Sequence, residues 1–289
     1  MKIQVSGSDI IITGCTEFDL VHTFECGQCF RWNKTQDGQY EGVFGKKALK
    51  AAQQDDKITL FNTTIDEYEN IWKGYFDLDR DYAGIQKILS KDDDVLKNAV
   101  KEGRGIRILS QEPFETIISF IISANNNIPR IKLIIERMCT LFGQKIEAYG
   151  REYCTFPDAK KIAALSREDL EPIKAGFRDK YILDAAQKIC SGEVDIDKIA
   201  TMDYESAKSE LKKIKGVGDK VANCILLFGF GHKNAFPVDV WIRRIVEHYY
   251  FNGEAMGDIG EFAKKRFGEL GGFAQQYLFY YARENKLEK

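Results

Sequence analysis

The sequence predicts a mostly α-helical protein whose N-terminal part is an antiparallel α+β domain, and three observations predict it. Apolar and polar residues alternate over roughly the first sixty positions, the period of half-buried strands. From about Asp66 the apolar spacing becomes that of helices. No low-complexity linker or simple repeat interrupts the remainder of the chain, which therefore reads as one long all-helical part. The two parts are drawn as residues 1–104 and 105–289.

Among the strands, Ile10-Ile11-Ile12 gives the first, Gln28 to Asn33 and Tyr40 to Phe44 flank a turn at Gln36-Asp37-Gly38, and Lys57 to Phe61 comes last. Ile85, Ile88 and Leu89 fit one helical face, as do Phe114, Ile117, Ile118, Ile121 and Ile122. Ile131, Leu133, Ile134 and Ile135 lead a helix through Leu141 that Gly143 can end. Further helices are expected at about 158–165, 167–175, 179–190, 204–215, 219–230, 239–250 and 258–284.

Composition narrows the class. The chain has 289 residues, 44% hydrophobic and 30% charged, as in soluble globular proteins. No run of ~18 apolar residues marks a membrane span. The opening MKIQVSGSDIIITG lacks the parts of a signal peptide, so no targeting signal is expected. Seven scattered cysteines, an odd number, fit reduced thiols better than a disulfide framework. Cys26-Gly-Gln-Cys29 has the spacing of zinc and redox sites, but no further ligand pair completes a site, so two packed side chains are expected and no metal. The net charge of -2 argues mildly against a polyanionic partner until its distribution is read. Residues 1–104 carry -4 and the remainder +2, and six lysines (208, 212, 213, 215, 220 and 233) face only Glu205, Glu210 and Asp219 within 205–233.

That basic stretch holds the most informative motif. A helix from Tyr204 to Lys215 runs into Gly216-Val217-Gly218, and a strongly apolar helix begins at once. The two glycines permit a tight turn and leave backbone N–H groups bare at the start of the second helix, where the helix dipole favours an anion such as a DNA phosphate. Val217 can anchor the turn in the core. The bland alternative is a helix–turn–helix connection without a ligand. Nineteen positions after Lys220 comes Asp239, in Pro237-Val238-Asp239-Val240-Trp241, placed to N-cap a helix that continues through Ile242, Ile245 and Val246. Together Lys220 and Asp239 suit the breaking of an N-glycosidic bond. The carboxylate offsets charge developing on the sugar, and an uncharged amine replaces the base to form a Schiff base. Burial and a helix N-terminus both disfavour the ammonium form of such a lysine.

The run from Lys215 to Cys224 and the Pro-Val-Asp at 237–239 resemble the helix-hairpin-helix/Gly-Pro-Asp superfamily of DNA base-excision glycosylases. The lysine is similar to that of its bifunctional glycosylase/AP lyases, and the resemblance is closest to the 8-oxoguanine DNA glycosylases. It implies a helix-hairpin-helix glycosylase architecture, with the hairpin unit at about 204–231. It also implies excision of 8-oxoguanine, opposite cytosine, from duplex DNA by Lys220 as nucleophile and Asp239 as its partner. Gly27-Gln28-Cys29-Phe30-Arg31-Trp32 resembles the family's G-Q-x-F-R-W, which implies that the Gly27 carbonyl accepts the N7 hydrogen of 8-oxoguanine and that Phe30 lines the pocket. Gly272 to Phe279 is similar to G-W-A-Q-x-x-L-F, so that Gln275 bonds the Watson–Crick edge while Phe279 and Cys224 stack on opposite faces. Asn125-Asn126-Asn127-Ile128-Pro129-Arg130 resembles the segment that fills the vacated stack with Asn125 and reads the orphaned cytosine with Arg130, which implies that Asn126 binds DNA as well. Phe177-Arg178-Asp179-Lys180-Tyr181 is similar to Y-R-x-R-Y, which makes Arg178 a second cytosine reader and Phe177 the wedge. Gly216, Val217 and Gly218 would hold phosphate, with room for a phosphate-bridging cation, and Trp241 would contact DNA near the site.

There are departures. Phe177 and Lys180 replace a tyrosine and an arginine, and a histidine and its acidic partner become Trp241 and Ala282. Nothing after Asp239 resembles an iron–sulfur cysteine run, so no cofactor is implied. A monomer is expected, cytoplasmic and nucleoid-associated in a prokaryote or nuclear in a eukaryote. Two alternatives stay open: a glycosylase of the same fold for an alkylated purine, and a non-catalytic duplex-binding module. The first would usually lack Lys220, and the second has no use for a Lys220/Asp239 pair.

Overall fold

The computed structural model describes residues 1–285. Strands β1 (Lys2–Ser6), β2 (Asp9–Thr13), β3 (Trp32–Lys34), β4 (Tyr40–Phe44), β5 (Lys47–Gln54) and β6 (Lys57–Phe61) form one antiparallel sheet in the order β1-β2-β6-β5-β4-β3. Along β2 the alternation does what it predicts: Ile10 and Ile12 are buried and their neighbours are not. An aromatic core fills one face of the sheet, with Phe24 stacked on Trp32 at 4.0 Å and Phe76 and Trp72 alongside.

Helix α1 (Leu20–Glu25) lies between β2 and β3, and the helical body comes after the sheet. Its longer helices are α2 (Tyr82–Leu89), α3 (Asp94–Glu102), α4 (Pro113–Ser123), α5 (Ile128–Phe142), α6 (Asp179–Ser191), α7 (Tyr204–Leu211), α8 (Asp219–Gly229), α9 (Val240–Tyr250), α10 (Ile259–Phe267) and α11 (Gly271–Glu284). Side-chain caps start most of them: Asp93, Asn127, Asp203, Asp239 and Asp258 each accept a backbone N–H of the first turn. Helix α4 is buried almost throughout and packs against α8, so the amine-bearing helix sits at the centre of the body. Leu96, Ala99 and Val100 of α3, within the 1–104 segment, belong to this second core and lie against α11. No helix among the described residues is long and apolar enough to cross a membrane.

Several elements differ from expectation. Residues 28–31 are not strand, because this stretch passes between the cores: Cys26 and Phe30 enter the helical core, Cys29 and Trp32 the sheet core. The expected helix 258–284 is two, broken at Gly268, whose φ is +51°. Ile88, Leu133 and Leu141 are exposed rather than core-facing. A hairpin of β7 (Lys145–Ala148) and β8 (Arg151–Cys154) interrupts the helices, and the Tyr149 hydroxyl at its tip donates to Phe61 O at 2.7 Å, tying the body to the sheet.

Candidate active site and DNA-binding surface

The hairpin is built locally. Ile214 and Val217 are buried and anchor the turn. Gly216 has φ +86°, and a Cβ there would stand 2.8 Å from the Tyr181 ring, so glycine is required by backbone and by space. Gly218 is extended and no side chain caps α8, which leaves the first N–H groups of that helix for an anion. Lys212 and Lys208 both reach the Asp219 carboxylate, at 3.0 and 3.1 Å, and hold it below the usual carboxylate range. The lysines therefore flank the turn while partly neutralising Asp219, and Asp184 accepts the Lys215 N–H on the other side of it at 2.8 Å.

Lys220, in the first turn of α8, is half-buried, and its Nζ lies 5.6 Å from the centroid of Phe120 on α4. No carboxylate lies within 4.0 Å of that amine among the described residues. Asp239 caps α9 with Oδ1, which accepts the Ile242 N–H at 2.8 Å. One turn along α8 from Lys220 stands Cys224. Its thiol is buried and its pKa is raised, chiefly by that burial, with the Lys220 charge opposing and the Asp239 charge adding to the rise.

Of the expected base walls, Gly27 lies against Phe279, and Phe30 reaches Phe120 beside the amine. Gly27 has φ +87°, and a Cβ on it would lie 3.7 Å from both Phe279 Cε1 and Ile128 Cδ1. Its peptide is therefore bare toward the Phe279 ring. Phe30 meets Phe120 edge-on at 5.7 Å, so Phe120 links Phe30 to the amine. Gln275 is buried, and its Oε1 accepts Gln276 Nε2–H at 2.7 Å. Cys26 and Cys29 are both buried, and burial pushes the Cys26 thiol up to about 11 and that of Cys29 higher. Among the described residues no group of three or more metal-ligating side chains comes together.

On the outer surface Asn125 sits exposed at φ +51°, Asn126 Nδ2 donates to Ile122 O at 3.1 Å, and Arg130 is exposed on the first turn of α5. Arg178 is placed differently from its neighbour Phe177. It is 3% exposed and donates to the carbonyls of Ala124 (2.6 and 3.0 Å), Asn125 (2.8 Å) and Ala175 (3.1 Å). Burial and the nearby Arg130 charge lower its pKa. Arg178 therefore holds the turned loop that presents Asn125, and these bonds must exchange before it can reach a base. Phe177, 53% exposed, carries the Arg178 guanidinium over its ring at 4.4 Å. Trp241 projects from the start of α9 beside Arg244, and Ala282 is buried.

Two contributors escape sequence reasoning: Phe120, hidden in an apolar run, and the buried Arg31–Glu115 pair (3.6 Å) beside Phe30. Only the G-Q-x-F-R-W resemblance hints at Arg31. The arrangement offers a half-buried amine outside any salt bridge, a helix-capping carboxylate and a helix start open to an anion.

Two family models match the chain: the N-terminal domain of 8-oxoguanine DNA glycosylase over residues 10–117, and HhH-GPD superfamily base excision DNA repair proteins over residues 118–265. A probable N-glycosylase/DNA lyase of Methanothermobacter thermautotrophicus is 34% identical over 78% of this chain and 77% of its own length. The N-glycosylase/DNA lyase OGG1 of Arabidopsis thaliana is 30% identical over 91% of this chain and 77% of its own. The structure is similar to that of the Clostridium acetobutylicum 8-oxoguanine glycosylase/lyase in complex with DNA containing cytosine opposite 8-oxoguanine, with TM-score 0.95, 41% identity and 99% of each chain covered.

Proposed function

The chain belongs to the HhH-GPD superfamily of base excision DNA repair proteins, as an 8-oxoguanine N-glycosylase/DNA lyase, and we propose that Lys220 and Asp239 carry its reaction through a lysine Schiff base. The single observation that supports this assignment is that Lys220 stands in the first turn of the helix that begins at the phosphate-ready turn, half-buried with its Nζ 5.6 Å from Phe120 and in no salt bridge.

In this reading the lone pair of Lys220 Nζ attacks C1′ of the flipped nucleotide. The C1′–N9 bond breaks, and the base leaves with its electron pair. The Asp239 carboxylate stabilises the positive charge that grows on the sugar ring. Loss of a proton from nitrogen and opening of the ring give the Schiff base. Removal of a C2′ proton then expels the 3′ phosphate by β-elimination. Phosphates dock at Gly216–Gly218, where a bridging cation can also sit, Phe177 wedges, Asn125 fills the gap and Asn126 contacts the DNA. Phe279 and Cys224 sandwich the base, Phe30 closes the recess, Gln275 reads the Watson–Crick edge and the Gly27 carbonyl takes the N7 hydrogen. Arg130 reads the opposite cytosine, Trp241 lies along the DNA, and the enzyme acts as a monomer without a cofactor.

The test is a cleavage assay on duplexes carrying 8-oxoguanine opposite each of the four bases, with an undamaged control. Wild type is expected to release the lesion fastest opposite cytosine. Lys220→Gln is expected to lose at least about 10³-fold in both base release and strand scission while still binding the lesion. Base release at the wild-type rate from that variant refutes the nucleophile assignment.

A further inference from the structure

The buried guanidinium of Arg178 joins two turns that are distant in the chain. On one side Nε and Nη2 donate to the Ala124 carbonyl, and Nη2 donates also to that of Asn125. These carbonyls lie just beyond the end of α4 at Ser123, where Asn125 turns to φ +51°. On the other side Nη1 donates to Ala175 O, in a bend that passes through Lys174 at φ +60° and Gly176 at φ +65° into Phe177. The exposed Phe177 ring lies over the same guanidinium. Asn125 and Phe177, the two groups read as entering the DNA stack, are therefore tied to each other through one buried side chain.

The hydrogen-bond inventory is specific. A guanidinium has five N–H donors, and four bonds to carbonyls are made here, so one hydrogen of Nη1 remains. Reading the O2 and N3 acceptors of an opposite cytosine takes two donors. Arg178 can do so only by giving up a bond that holds one of the two turns. Arg130 carries no such commitment of its side chain to a turn: it is exposed on the first turn of α5, and its charge reaches Arg178.

Resting on the reading of Asn125 as the residue that fills the vacated stack, we infer that Arg178 is a positioning residue, whose guanidinium fixes the Asn125 turn against the Phe177 segment and so serves extrusion whatever base stands opposite. Reading of the opposite cytosine then falls to Arg130. Loss of Arg178 slows base release through Asn125, with no dependence on the partner base.

Single-turnover base release at saturating enzyme tests this, with 8-oxoguanine placed opposite cytosine and opposite a tetrahydrofuran residue, which has no base to read. Arg178→Met is expected to slow release about 10–100-fold, the scale of a misplaced working group, and by the same factor opposite both partners. In an Asn125→Ala background the same substitution should cost less than about threefold, because its effect runs through Asn125. A cooperative thermal melt verifies each fold, and Arg178→Gln is read in the same way if the methionine variant does not melt cooperatively. A loss confined to the cytosine duplex, a loss that multiplies in full with that of Asn125→Ala, or no loss at all overturns the inference and leaves the 8-oxoguanine reading intact. Wild-type release by Asn125→Ala alone removes the gap-filling role on which the inference rests. Failure of wild type to release 8-oxoguanine opposite cytosine brings down the 8-oxoguanine reading itself.

Discussion

Between Lys215 and Cys224, ten consecutive residues supply a turn, free backbone donors, an amine and a buried thiol, whereas the proposed base-binding residues Gly27, Phe30, Gln275 and Phe279 come from the two ends of the chain. The hairpin needs little beyond itself: buried Ile214 and Val217, and a Tyr181 ring against Gly216. The N-terminal contributors are placed by residues 26–32, which thread between two hydrophobic cores with Cys26 and Phe30 in one and Cys29 and Trp32 in the other. Chemistry here is set by local sequence and recognition by long-range packing. Damage to the first should show in rates, and damage to the second in selectivity and in the coupling of the cores.

The largest effect should come from Asp239→Asn. Asparagine caps a helix as well as aspartate does, so stability should stay within about 1 kcal/mol. The lost carboxylate should lower single-turnover base release about 10²–10³-fold. A fall in stability that accounts for the lost activity would reduce Asp239 to a cap. Next comes Gly216→Ala, which combines φ +86° with a Cβ 2.8 Å from Tyr181. Denaturant unfolding should register a loss of about 1–3 kcal/mol. Affinity for undamaged duplex should fall with it, since the turn is the phosphate dock. Unchanged affinity in the folded variant would separate the hairpin from DNA binding.

The smallest effect tests the seam between the cores. Burial raises Glu115 from 4.5 to about 7, against the opposing pull of Arg31. The native state therefore holds this proton more tightly than the unfolded chain does. Its stabilising contribution is complete below about pH 4.5 and is lost as pH climbs through about 7. Glu115→Gln cannot ionise, so its stability relative to wild type should rise by about 1–2 kcal/mol between about pH 5 and pH 8, on top of any constant offset. A flat difference across that range would show that Glu115 does not titrate with folding.

The same contrast explains which features are legible in the sequence. Helix starts, the hairpin and the Lys220/Asp239 spacing depend on near neighbours, and they are readable. Strand β5 is not, because KALKAAQQ has a helix-former's composition and becomes a strand only by pairing with β4 and β6. The β7–β8 hairpin is short and polar, held by Tyr149 against the sheet. In sequence Arg178 reads as a second cytosine reader, and nothing near it in the chain signals that its guanidinium also donates to the Ala124 and Asn125 carbonyls. Phe120 gains its place beside the amine and Phe30 only when distant elements meet.

Borohydride trapping on a duplex with 8-oxoguanine opposite cytosine, then peptide mapping of the adduct, tests the central claim most directly. The account predicts one covalent complex, attached through Lys220 and absent from Lys220→Gln. An adduct on another residue, or one that persists undiminished in that variant, contradicts it.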